Sequence, residues 1–195
     1  PELLINDVSK HIQQDDMKNI FQKNDFIGLN HYQHIRIKAD NKHLLKTRGA
    51  FNDELPFGLD GKDAKLTLMG WEIVPDAYYD QIMDLKNNYG NPDIYLTENG
   101  AAYPDLIEKN GKINDNDRID YFKKYLSAVK KSIDNGAKVK SYFAWTFMDN
   151  FEWALGFEKR FGIVHVDFKT LKRTPKKSYY FFKKLVEQNS IPLDF

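Results

Sequence analysis

Apolar residues in this 195-residue chain fall into short solid blocks separated by longer amphipathic stretches. After a polar, helix-prone start, Phe26-Ile27-Gly28-Leu29-Asn30 is a compact apolar run that predicts a buried strand ending near Asn30. Residues 38–70 scatter Gly49, Pro56, Gly58, Gly61 and Gly70 among charges with no clear period, which predicts a long irregular connection. From Asp76 onward Ala77, Tyr78, Ile82 and Leu85 share one face, and the pattern stops at Tyr89-Gly90-Asn91-Pro92. That predicts a helix of about three to four turns. Ile94-Tyr95-Leu96-Thr97 predicts a second buried strand running into Glu98-Asn99-Gly100. Over residues 117–135, Ile119, Phe122, Leu126, Val129 and Ile133 recur every three or four positions before Gly136, the strongest helical signal in the chain. Val139 to Met148 predicts a third strand ending at Asp149-Asn150, Ile163 to Phe168 a short extended piece, and Ser178 to Glu187 a last amphipathic helix.

Strands alternating with helices in units of about 30 residues or more define an α/β protein with a parallel sheet. In such folds the chemistry gathers at the C-terminal ends of the strands. The three ends here read Asn30-His31-Tyr32, Thr97-Glu98-Asn99-Gly100, and Trp145 onward to Glu152-Trp153. All are polar and aromatic.

Composition narrows the field. A formal net charge of +1, with lysines and acids interspersed, gives no global attraction to nucleic acid or to an acidic membrane. The lysine-rich stretch from Lys169 to Lys184 reads as a solvated helix face rather than a nucleic-acid site. There is no cysteine for a disulfide scaffold or thiol chemistry, and no apolar run long enough to span a bilayer, so a cytoplasmic protein is expected. The chain opens Pro1-Glu2-Leu3-Leu4 without an initiator Met, as if processed or cut from something longer.

Glu98 is the most pointed candidate. A carboxylate ending an apolar strand is costly to bury unless something compensates it. Attack on an anomeric carbon is one reason to place it there, given a second carboxyl group to protonate the leaving oxygen. An acid at a helix start followed by a glycine turn explains the same residues equally well. The run Phe143 to Trp153 offers Trp145 and Trp153 as platforms for pyranose faces and Glu152 as an acceptor for hydroxyls. Asn30 and Tyr32 flank His31 on one side of an extended chain, so both can face a common site. His31 and His34, three apart on the expected strand, face opposite sides and do not make a metal pair. No metal is expected.

Together these segments resemble the family 1 glycoside hydrolases, the β-glucosidase family. The motif Ile94 to Gly100 resembles the family's nucleophile motif. The stretch from Tyr142 through Asp149-Asn150-Phe151-Glu152-Trp153 to Arg160-Phe161-Gly162 matches a second motif, and Asp25 to Tyr32 a third, with His31 where Tyr is commoner. Gly70-Trp71-Glu72-Ile73-Val74-Pro75 and Asp117-Arg118-Ile119-Asp120-Tyr121 match as structural markers. The resemblance implies a (β/α)8 TIM barrel and retaining hydrolysis of β-glycosides without a cofactor. It places the nucleophile on Glu98, substrate contact near the reacting centre on Asn30, and orientation of the nucleophile on Tyr32. Trp145 then floors the sugar subsite, Glu152 and Trp153 bind its outer hydroxyls, and Phe161 lines it.

The resemblance also implies an incomplete barrel. The family's acid/base lies in an Asn-Glu-Pro motif that this sequence lacks, and a full barrel takes about 250 residues. Residues 1–195 therefore match about three parallel βα units, strands six to eight, plus a C-terminal helix. The expected partners are a small β-glycoside, the missing N-terminal barrel half and, through open sheet edges, a second copy of the chain. Glu152 stands where a branch acting on 6-phosphorylated sugars tends to have Ser, and its charge repels phosphate, so unphosphorylated β-glucosides or β-galactosides are favoured. The alternatives are a 6-phospho-β-glucosidase and a non-catalytic sugar-binding or structural fragment.

Overall fold

The computed structural model describes residues 9–34, 37–38, 46–47 and 65–195. In chain order the elements are α1 (Asp16–Ile20), β1 (Ile27–Asn30), β2 (Ile37–Lys38), β3 (Lys46–Thr47), α2 (Pro75–Asn88), β4 (Ile94–Asn99), α3 (Asn116–Asp134), β5 (Val139–Ala144), a 3-10 turn (Trp153–Leu155), β6 (Val164–Val166), β7 (Arg173–Pro175) and α4 (Lys177–Gln188). Strands β1, β4 and β5 form a parallel sheet in that order, with α2 crossing between β1 and β4 and α3 between β4 and β5. The protein is thus α/β with βα crossovers, as the spacing of its apolar blocks requires.

The helices cover one face of this sheet. Ile94 and Leu96 of β4 are fully buried, as are Tyr78 and Ile82 of α2, Phe122 and Tyr125 of α3, and Phe181 of α4. Burying an aliphatic side chain of this size contributes about 1.5–3 kcal/mol. The opposite face is left open among the described residues. Phe26, its ring tilted against Tyr95 with centroids 4.8 Å apart, and Phe143 of β5 remain 54% and 53% exposed.

Four expectations are corrected. The second strand does not stop at Thr97 but runs through Glu98 to Asn99, so the acid is paired into the sheet. The third strand ends at Ala144, not Met148: the backbone leaves the ladder at Trp145, whose N–H still reaches Asn99 O at 2.9 Å. His31 and His34 lie beyond the end of β1 rather than on it, each with its own partner, Gln81 for His31 Nδ1 and Glu72 for His34 Nε2. The extended piece at Ile163 to Phe168 shortens to β6, antiparallel to β7, and Met148 bridges to Val164 in parallel sense. Most of the irregular connection expected over residues 38–70 lies outside the described residues, which show there the two-residue strands β2 and β3. None of the helices among the described residues is long and apolar enough to cross a membrane.

Candidate functional site

The C-terminal ends of β1, β4 and β5 converge. Register places Asn30 opposite Glu98 and Asn99 opposite Ala144. Glycine makes the approach of β5 possible. A Cβ on Gly100 would lie 1.8 Å from the Trp145 carbonyl oxygen, so no other residue lets the two strand ends come this close.

At the centre, the Tyr32 hydroxyl donates to Glu98 Oε2 at 2.6 Å. Burial, followed by that hydrogen bond and the negative charge of Glu98, pushes the Tyr32 phenol far above its ordinary range, which keeps it a donor. Beside it, Thr97 Oγ1 donates to Asn30 Oδ1 at 2.6 Å. Trp71 packs on Tyr32 and on Phe161 with ring centroids 5.3 and 6.1 Å apart, and Phe161 meets Tyr32 edge-on at 6.2 Å. Phe161 is fully buried, so it backs the cluster rather than presenting a free face. The Trp71 indole N–H is buried without a partner among the described residues.

Trp145 and Glu152 form the other wall. Burial, followed by the charge of Glu98, raises the Glu152 carboxyl above its usual range against the opposing influence of Trp145. Oε2 of Glu152 is buried and has no partner among the described residues, an acceptor that a ligand hydroxyl can use. Trp153 stands apart. It is 83% exposed and opens the 3-10 turn with φ of 42°.

A charged cluster pins the loops behind this wall. Asp149 accepts from Arg160 Nη1 at 2.6 Å, Lys176 Nζ at 3.0 Å and the N–H groups of Gly162 and Val166 at 3.0 and 3.2 Å. Burial alone would raise the Asp149 carboxyl; the Lys176 charge and these hydrogen bonds outweigh it and hold the group below the usual carboxylate range. Asp105, Asp149 and His165 bring ligand-type atoms within 4.8 Å of one another. Lys176 Nζ, 2.7 Å from Asp105 Oδ2, brings a positive charge to this group. Arg118, fully buried, ties the next turn by pairing with Asp115 and donating to Arg160 O at 2.8 Å.

The structure therefore gathers Asn30, Tyr32, Glu98, Trp145, Glu152 and Phe161, and leaves the Trp153 side chain out in solvent. Sequence reading passed over Trp71, taken only as a structural marker, and Thr97. An aromatic directly after Gly70, within a long connection of the kind that carries function, was the available signal for Trp71.

Carboxylates and aromatic side chains thus meet at the mouth of a parallel α/β sheet. The chain belongs to glycosyl hydrolase family 1, whose sequence model matches residues 4–191. It is 39% identical to a Beta-glucosidase A of Thermotoga maritima over 98% of this chain and 41% of that protein. It is 38% identical to a 6-phospho-beta-galactosidase of Staphylococcus epidermidis over 97% of this chain and 43% of that protein. A solved beta-glucosidase from Thermotoga maritima in complex with castanospermine superposes with a TM-score of 0.83 at 38% identity, covering 97% of this chain and 41% of that one. The chain thus spans about two fifths of the length of these relatives.

Proposed function

We propose that this chain supplies the nucleophile side of a retaining β-glycosidase, acting on unphosphorylated β-glucosides or β-galactosides. The observation that carries this reading is the 2.6 Å bond from Tyr32 to Glu98 at the meeting point of three parallel strand ends. One oxygen of the carboxylate is held by the phenol, which leaves the other to attack the anomeric carbon. The C–O bond to the aglycone breaks as a second carboxyl group gives its proton to the leaving oxygen. That group then takes a proton from water, which hydrolyses the glycosyl ester and frees Glu98. Asn30 contacts the sugar near the reacting carbon, Trp145 forms its apolar floor with Phe161 packed behind the site, and Glu152 with Trp153 receives its outer hydroxyls.

The acid/base comes from outside this sequence. Residues 1–195 act as one unit corresponding to strands six to eight of a (β/α)8 barrel, and an N-terminal portion completes the barrel against the open face bearing Phe26 and Phe143. Without it a second copy can cover the free edge of β1, as exposed edges invite. Among the relatives are both beta-glucosidases and 6-phospho-beta-galactosidases. Glu152 favours the first group, because an anionic wall with an unpaired acceptor suits hydroxyls and repels phosphate.

The test is hydrolysis of a chromogenic β-glucoside by this chain alone and by the chain joined to the remainder of a full-length relative, hereafter the assembled enzyme. The proposal expects near-zero turnover alone, because general acid/base help is worth about 10²–10⁴ in rate, and turnover abolished by Glu98→Gln after assembly. Full activity in the isolated chain would place the acid/base within it and overturn the half-site reading.

A further inference from the structure

We propose that Asn99 is a positioning residue that holds Tyr32, Glu98 and Trp145 in mutual register while touching no substrate. This rests on Tyr32 and Glu98 being the working pair proposed above. Asn99 is fully buried immediately behind the nucleophile position, and its amide is used on every side. Nδ2 donates to His31 O at 2.8 Å and to the Tyr121 hydroxyl at 3.0 Å, and Oδ1 accepts from the Tyr142 hydroxyl at 2.7 Å. Its main-chain oxygen accepts from Trp145 N–H, and His31 N–H donates to Glu98 O, both at 2.9 Å.

The sense of this network is fixed by chemistry. The His31 carbonyl can only accept, so Nδ2 must face it and Oδ1 must face Tyr142. Burial holds the Tyr142 phenol well above its ordinary range, so it remains the donor that Oδ1 requires. Each tie lands beside a working residue. His31 lies between Asn30 and Tyr32, Glu98 precedes Asn99, and Trp145 is bonded to Asn99 directly. The far side is anchored in the helical layer: Tyr121 of α3 stacks at 4.3 Å on Tyr125, whose hydroxyl accepts from Val74 N–H at 3.1 Å just before α2. One amide thus sets the spacing of β1, β4 and β5 at their active ends and refers it to α3. An apolar side chain of equal size fills the same volume but leaves the His31 carbonyl and two phenols unpaired.

The experiment is nuclear Overhauser spectroscopy on the isotope-labelled chain, following the cross-peak between the Tyr32 ring and the Glu98 side chain. In Asn99→Leu, with the α3 amide shifts unchanged, the cross-peak is expected to lose more than half its intensity; Tyr142→Phe, which frees only Oδ1, is expected to give an intermediate loss. In the assembled enzyme the same variants are expected to lower kcat with little change in KM. An undiminished cross-peak in folded Asn99→Leu overturns the proposal. Should that variant fail to fold, an undiminished cross-peak in Tyr142→Phe overturns it instead. The cross-peak reads geometry without hydrolysis, so failure of the glycosidase reading and failure of this one give different results.

Discussion

The hydroxyl of Tyr32 and Oε2 of Glu98, 66 positions apart in sequence, lie 2.6 Å from each other across adjacent parallel strands. Neither is at the centre of its strand. Glu98 is the fifth residue of the six in β4 and Tyr32 lies two residues beyond β1, where side chains clear the pleat and reach a ligand. The bond is charge-assisted, and such bonds contribute about 1.5–3 kcal/mol.

Tyr32→Phe removes that donor while keeping the ring against Trp71 and Phe161. If the bond orients Glu98 for attack, kcat of the assembled enzyme falls roughly 10–100-fold, the rate equivalent of about 1.4–3 kcal/mol, with KM little changed. Steady-state kinetics on an aryl β-glucoside check this.

Gly100→Ala is expected to be severe. The new Cβ meets backbone, the Trp145 oxygen at 1.8 Å and its carbonyl carbon at 2.8 Å, and backbone cannot rotate away as a side chain can. Overpacking typically costs about 1–3 kcal/mol, and a contact against fixed main chain belongs at or beyond the upper end. A chemical denaturation midpoint that matches the parent would contradict the convergence of β4 and β5 described here.

Asp149 makes the chain sensitive to acid. Its folded-state carboxyl lies below the ordinary value of about 3.9, because Lys176, Arg160 and two backbone N–H groups hold the charged form against burial. A depressed folded value contributes stability that is fully present above the unfolded value and is lost as pH falls through the folded one. Asp149→Asn should remove that acid-dependent component and leave Lys176 short of a partner, costing about 3–5 kcal/mol at neutral pH. Urea unfolding at neutral and acidic pH measures both effects.

Glu152 should set the choice of sugar. The assembled enzyme is expected to hydrolyse an aryl β-glucoside at least about tenfold faster than its 6-phosphorylated counterpart, since placing a phosphate against a half-buried carboxylate adds like-charge repulsion. Glu152→Ser should narrow or reverse the ratio of kcat/KM values. An unchanged ratio would remove Glu152 from the specificity determinants.

The parts of this arrangement legible in the sequence are those written into local periodicity. Ile119, Phe122, Leu126 and Val129 mark α3 because one helical face is buried, and Ile94 with Leu96 marks β4 because both point under the helices. Boundaries failed where the pattern and the ladder part company. Glu98 and Asn99 are polar yet still in the sheet, whereas Trp145, Phe147 and Met148 are apolar although the chain has already left it. The pinning cluster was invisible because Asp105, Asp149, His165 and Lys176 are scattered over 72 positions and meet only through the fold. Trp153, read from its type and place as a sugar contact, has its side chain 83% exposed.

The most direct test of the account is covalent trapping. The assembled enzyme is incubated with a fluorinated β-glucoside whose glycosyl ester hydrolyses slowly and whose dinitrophenolate leaving group needs little acid help, then digested and analysed by mass spectrometry. The account predicts one sugar per chain, on the peptide containing Glu98 and lost in Glu98→Gln. A label on Glu152 or any other carboxylate, or turnover of the ordinary substrate that survives Glu98→Gln, would contradict it.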